Sequence, residues 1–156
     1  MSRFSEFPKH KVKILQTLLS DEKLVKAVGS NSMNFESVII ENPYDLLYKN
    51  IFPFMKIPNV SDEQRTYITM RFSNFKLVNG YFKDGDIIIY IFTHQDLMRT
   101  NYGVLRTDYI LNRVDELFNK SNDFGIGRLN FRAFNEIDIN DTYGGVWVSY
   151  NVVDFN

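Results

Sequence analysis

The sequence predicts an α+β fold: an N-terminal helical segment, then a mixed or largely antiparallel sheet of at least four strands with one long amphipathic helix packed on it. Three observations predict it. An extended, β-branched region covers residues 65–93, a single amphipathic helix follows over 104–118, and a second extended region, 127–155, closes the chain. With 156 residues there is room for one domain around one core. Residues 9–28 are read as its helical segment, 30–64 as an irregular connection rich in proline and aromatics, and 65–155 as the strand–strand–helix–strand–strand core.

Each element has a local reason. Over 9–28, Val12, Leu15, Leu18, Leu19, Leu24, Val25 and Val28 fall largely at helical spacing. Ser20-Asp21-Glu22 interrupts the run, giving one broken helix or two short ones. Pro8 suits the start of the first, Ser20 is the expected cap of the second, and Gly29 is its stop. Residues 35–40 fit a short helical turn or a strand, and Asn42-Pro43 a turn or a helix start. Two prolines, Pro53 and Pro58, exclude both a regular helix and a central strand from 51–58. That stretch is expected to run extended, against its own domain or a neighbour.

The strands follow from alternation and β-branching. In residues 65–72, Ile68, Met70 and Phe72 form the buried face and Tyr67, Thr69 and Arg71 the polar one. Asn79-Gly80 is a hairpin signal, and Lys83-Asp84-Gly85-Asp86 another expected turn. Residues 87–92, Ile-Ile-Ile-Tyr-Ile-Phe, are continuously apolar, which predicts a central strand covered on both faces. The helix over 104–118 is expected to meet the sheet through Leu105, Val114 and Phe118, with help from Tyr109, Ile110, Leu111 and Leu117. In 128–134, Leu129, Phe131 and Ala133 oppose Asn130, Arg132 and Phe134. Asn140 to Gly145 reads as a turn, and residues 146–153 as the last strand.

Composition narrows the function classes. Fourteen Phe and nine Tyr exceed what the core needs, which leaves aromatics for a partner surface. A net charge of −1 gives no basic field for a nucleic-acid backbone. Lys9, Lys11 and Lys13, with His10, form the one basic cluster and read as a solvated N-terminal face. The lack of cysteine removes disulfides, thiolate nucleophiles and Cys-ligated metals. No apolar stretch has the length of a membrane span or of a signal-peptide core, so the chain is expected to be cytoplasmic where it is made.

No catalytic motif stands out. Nucleophile-elbow, phosphate-loop, dinucleotide-loop and calcium-loop patterns are missing, and Gly125-Ile126-Gly127 reads as a flexible turn. His94 and Asp96, two apart at the end of the central strand, point the same way. A metal there would need carboxylates such as Asp86 or Asp108 as further ligands, so a hydrogen-bonded turn or a polar contact to a partner is the expected role. No metal and no cofactor is expected. Arg106 and Arg113 are seven apart and share a helix side, as do Asp108 and Asp115. Two rows of opposite sign fit contacts between self-complementary subunits. Arg99 and the loop 96–102 join them as an expected interface, and reversing Arg106 to Glu is expected to cost little in folding.

The order of elements resembles the tail terminator family of long-tailed bacteriophages. The most similar stretch is 87–118: an apolar strand ending in Thr93-His94-Gln95-Asp96, a polar loop, then a helix opening at Val104-Leu105-Arg106-Thr107-Asp108. The Pro53 and Pro58 segment departs from the family pattern. The resemblance implies a non-enzymatic virion protein made in the bacterial host cytoplasm. It implies a hexameric ring that caps the tail tube and meets the head connector, with the loop 96–102 as a docking surface; the strand end and the charge rows give His94, Asp96, Arg99, Arg106, Asp108 and Arg113 as the expected interface. Its partners would be further copies of itself, the tail tube protein and neck proteins, with neither nucleic-acid sequence recognition nor a membrane. A head-completion or stopper protein and a small cytoplasmic adaptor or inhibitor are the alternatives.

Overall fold

Five strands form one sheet in the order β1, β2, β3, β5, β4. The computed structural model describes residues 4–78, 81–121 and 128–153. The strands are β1 (Ile51–Phe52), β2 (Thr66–Val78), β3 (Tyr81–His94), β4 (Arg128–Asp138) and β5 (Tyr143–Val153). Among these strand pairings the β1–β2 pair is parallel and the others antiparallel. Three α-helices, α1 (Phe7–Ser20), α2 (Glu22–Gly29) and α3 (Arg106–Phe118), contribute to the principal core. This is the single α+β domain that the pattern predicts.

The apolar run of β3 lies in the middle of the sheet because it is the strand most able to be covered on both faces. Ile87, Ile89 and Ile91 are fully buried toward the helices, against Ile14, Leu18, Ile110, Val114 and Phe118. Full burial of an aliphatic or Phe side chain contributes about 1.5–3 kcal/mol. Of the three residues expected to seat α3, Val114 and Phe118 do so, and Ile110 takes the third place. Leu105 precedes the first turn of α3 and is exposed.

The other face of the sheet departs from the alternation reading. Tyr67 and Thr69 are as buried as Ile68 and Met70. A second small core, Phe52, Tyr67, Phe92 and Tyr143, closes over them, with Met55 packed alongside. The Pro-containing segment supplies that cover: Phe52 belongs to the parallel edge strand β1, and Met55 Sδ accepts the Thr69 hydroxyl at 3.2 Å. The segment therefore packs within the domain.

Four local expectations change. Asp21, not Ser20, caps α2, its carboxylate accepting the Leu24 N–H at 3.1 Å. Residues 83–86 are not a turn but part of β3, and Gly85 is needed there because a Cβ would overlap the Phe75 ring. Tyr143, Gly144 and Gly145 belong to β5; the turn before them is held by Asn140, whose Oδ1 accepts the N–H groups of Thr142 and Tyr143. A bulge between Phe131 and Ala133 breaks the alternation of β4. The 35–40 segment contains a 3₁₀ turn, Phe35–Ser37, and Asn42 caps a second, Pro43–Leu46. Asn79-Gly80 and Gly125-Ile126-Gly127 lie outside the described residues.

Candidate functional site

The strand-end corner is a hydrogen-bonded turn. His94 ends β3 and caps the 3₁₀ turn Gln95–Leu97 through Nδ1, which accepts the Asp96 N–H at 3.0 Å. An Nδ1 that accepts an N–H places the ring proton on Nε2. The imidazole also stands edge-on to Tyr143 at 5.2 Å. Asp96 is exposed and accepts a hydrogen bond from Gln64 Nε2 at 3.0 Å; Arg99 is exposed as well. This corner presents charge to solvent in and just after a hydrogen-bonded turn.

Arg106 requires a correction. It is fully buried, and its guanidinium donates to four backbone carbonyls: Leu97 at 2.7 Å, Ala27 at 2.8 Å, Ser30 at 2.9 Å and Ser32 at 2.8 Å. The group also lies 5.0 Å from the Phe35 ring centroid. Burial lowers its pKa below the usual arginine value, while Tyr102 acts in the other direction. Carbonyls at and beyond the end of α2, where the helix dipole is negative, occupy the donors in place of a carboxylate.

Arg113 is likewise turned inward. It makes a bidentate pair with Asp21 (Nε to Oδ2 2.9 Å, Nη2 to Oδ1 2.8 Å) and reaches Glu116 at 2.6 Å. The Asp21 hydrogen bonds, foremost, raise its pKa. The seven-residue spacing does put Arg106 and Arg113 on one side of α3, about 10.5 Å apart along the axis. That side faces α2, whose C-terminal end Arg106 holds and whose N-cap Arg113 holds. Arg106 is thus held inside the domain, whereas Arg113, though paired within it, is partly exposed and lines a surface pocket with Asp108, Asn112 and Glu116.

The acidic row faces elsewhere. Asp108 and Asp115 line a groove of about 430 Å³ between α3 and β4. Its apolar part is Leu111, Phe131, Phe134 and Val148, and Asn112 and Asn119 complete the lining. The β4 bulge creates this surface. Phe131 pairs with Tyr150 and Phe134 with Val148, so the extra residue brings both rings to the helix side of the sheet. Unbroken alternation would have sent them to opposite faces. Phe131 is 50% and Phe134 47% exposed, on an edge strand whose outer backbone groups are partly taken by the segment after α3: Leu129 N–H donates to the Ser121 carbonyl and Phe131 N–H to Asn119 Oδ1. Asp115 is fixed by the Tyr150 hydroxyl, which donates to it at 2.7 Å; burial first, then this carboxylate, raises the tyrosine pKa. The bulge carries no mark in the sequence that would have located this groove.

Among the described residues, no group of three or more His, Asp or Glu side chains is arranged to hold a metal ion. No helix among them is long and apolar enough to cross a membrane.

The fold and this groove define a small α+β domain with an aromatic, acid-rimmed surface at one sheet edge. The chain belongs to the YomW family, whose model matches residues 21–152. That span runs from the α2 cap to the last turn of β5 pairing, and so includes both arginine clamps and the groove. Neither the curated proteins nor the solved structures provide a match to the chain.

Proposed function

We propose that the chain is a non-enzymatic virion structural protein, a ring-forming tail terminator that caps the tail tube of a long-tailed bacteriophage and joins it to the head connector. One observation carries the reading beyond the resemblance of element order. At the β4 edge of the sheet the bulge leaves two Phe side chains half-exposed beside a helix. Aromatic side chains are favoured at the centres of protein interfaces, where they contribute large contact area. A closed ring uses such a contact once per subunit, so modest area at each contact still gives a stable particle.

The corner at His94, Asp96 and Arg99 is assigned to the neck partner, since Asp96 stands exposed in the hydrogen-bonded turn and Arg99 exposed just after it. Asp108 is assigned to the subunit contact. Arg106 has no part in either, being occupied inside the domain. The partners are further copies of the chain in a hexamer, the tail tube protein and the connector, with no nucleic-acid sequence recognition and no membrane. The test is electron microscopy of purified particles with the chain labelled. Label at the head-proximal end of the tail tube supports the assignment. Label on the connector side identifies another neck component, and particles without the chain overturn the virion reading.

A further inference from the structure

We infer that the groove between α3 and β4 receives the exposed stripe of α1 from a second copy of this chain, and that this contact is the head-to-tail joint of the assembly. The inference rests on the ring reading and names its interface. The groove combines an apolar floor, Phe131 and Phe134, with carboxylates at Asp108 and Asp115. The same side of β4 continues with the exposed Glu136, paired opposite Val146, and Asp138, paired opposite Gly144. Among the described residues, no cationic side chain lines the groove. An occupant both basic and apolar would complement it.

The chain itself carries such a surface. On α1, Lys9, Val12, Lys13 and Gln16 are exposed and lie at i, i+3, i+4 and i+7, one stripe of the helix. Val12 is 51% exposed, an apolar side chain with a lysine on either side of it. The partner of Lys9 within the chain is the exposed Glu6 at 3.3 Å, a surface pair of the kind that holds its members weakly. Seated in the groove, Val12 would meet the Phe131 and Phe134 rings while Lys9 and Lys13 reach the carboxylates of the rim.

The two surfaces lie at different sides of the sheet. The α1 helix is anchored over β2, where Phe7 packs edge-on against Phe72 at 5.5 Å and Phe75 at 5.1 Å. The groove lies on β4, and β3 and β5 intervene between those strands. With strands about 4.8 Å apart, the separation across the sheet is on the order of 14 Å. A surface at one side that complements a different surface at the other makes a heterologous contact, which propagates from copy to copy and closes into a ring when the rotation permits.

The chain has no cysteine, so a single introduced thiol reports one position. Val12→Cys is mixed with Asn112→Cys, which lies in the groove, and the initial rate of disulfide formation under mild oxidation is measured. The control partner is Asn59→Cys, exposed on the segment after Pro58. All three positions are exposed or at the groove surface, and thermal melting checks that each variant folds. We expect the groove pair to link about tenfold faster than the control pair, with the advantage falling as salt rises. Adding Lys13→Glu to the first chain should remove the advantage, and adding Asp108→Lys to the second should restore it. Equal rates for groove and control partners, at low salt and with folded proteins, overturn the inference. Cross-linking in a protein that labelling finds outside the virion would keep this joint and remove the tail-terminator assignment; label at the tail end with equal rates would do the reverse.

Discussion

Truncating Arg106 to Ala should be among the most damaging single changes in this domain. The substitution removes four hydrogen bonds of 2.7–2.9 Å from one guanidinium and leaves the carbonyls of Leu97, Ala27, Ser30 and Ser32 without that donor. A hydrogen bond to a charged group contributes about 1.5–3 kcal/mol, but four on one side chain do not add, and water can reach some of the carbonyls left behind. A buried acceptor left unsatisfied costs about 1–3 kcal/mol, so with water reaching some of the carbonyls the loss amounts to about 3–5 kcal/mol. That is a large share of the roughly 5–15 kcal/mol by which domains are stable. At about 2–4 °C per kcal/mol for a domain of this size, the melting temperature should fall by about 10 °C or more. Arg106→Lys keeps the charge but presents a point ammonium in place of a planar fork, so it should recover only part of the loss. Arg106→Glu would set a carboxylate among carbonyl oxygens and should not fold. Thermal melting with a urea titration checks the series. Arg106→Ala melting within about 2 °C of the native chain would refute the clamp.

Two further outcomes follow from the packing. Gly145→Ala should abolish soluble expression or lower the melting temperature by several degrees, because its Cβ would overlap the Ile91 carbonyl oxygen in the neighbouring strand, and backbone cannot step aside as a side chain can. The Tyr109 pKa is pushed up to about 12, by burial first and then by the hydrogen bond its hydroxyl donates to Glu36 at 3.0 Å. A folded-state pKa above the ordinary 10.0 means that its contribution to stability is full below pH 10 and is lost as pH rises toward about 12. Absorbance titration should show a phenol ionising late, and Tyr109→Phe should remove that step and flatten the alkaline fall in melting temperature; an unchanged titration would contradict the assignment.

The sheet could be read from the sequence because β-branching and alternation are local signals. Apart from Arg65, which precedes β2, the runs 65–72, 87–92, 128–134 and 146–153 lie within observed strands, and the continuous apolarity of 87–92 gives β3 its central place. What could not be read depends on distant partners. The burial of Tyr67 and Thr69 is set by cover from Phe52 and Met55, in a segment whose prolines hide a two-residue parallel strand. Arg106 looks like an ordinary solvated charge in the first turn of a helix; three of its four carbonyl partners lie 74 to 79 positions away. Its spacing from Arg113 was a true signal of a shared side, but spacing does not say what that side faces. The groove depends on the extra residue in β4, and periodicity without that residue separates Phe131 from Phe134.

The central claim is assembly through the β4 edge, and it is tested most directly in particles built with the double variant Phe131→Glu, Phe134→Glu. Both rings are half-exposed, so the purified variant should melt close to the native chain. Micrographs of particles from cells that carry the variant in place of the native gene should then show tails of abnormal length, or tails unjoined to heads, as they should when the gene is deleted. Normal capped tails joined to heads, from a variant verified in those particles, would contradict the account.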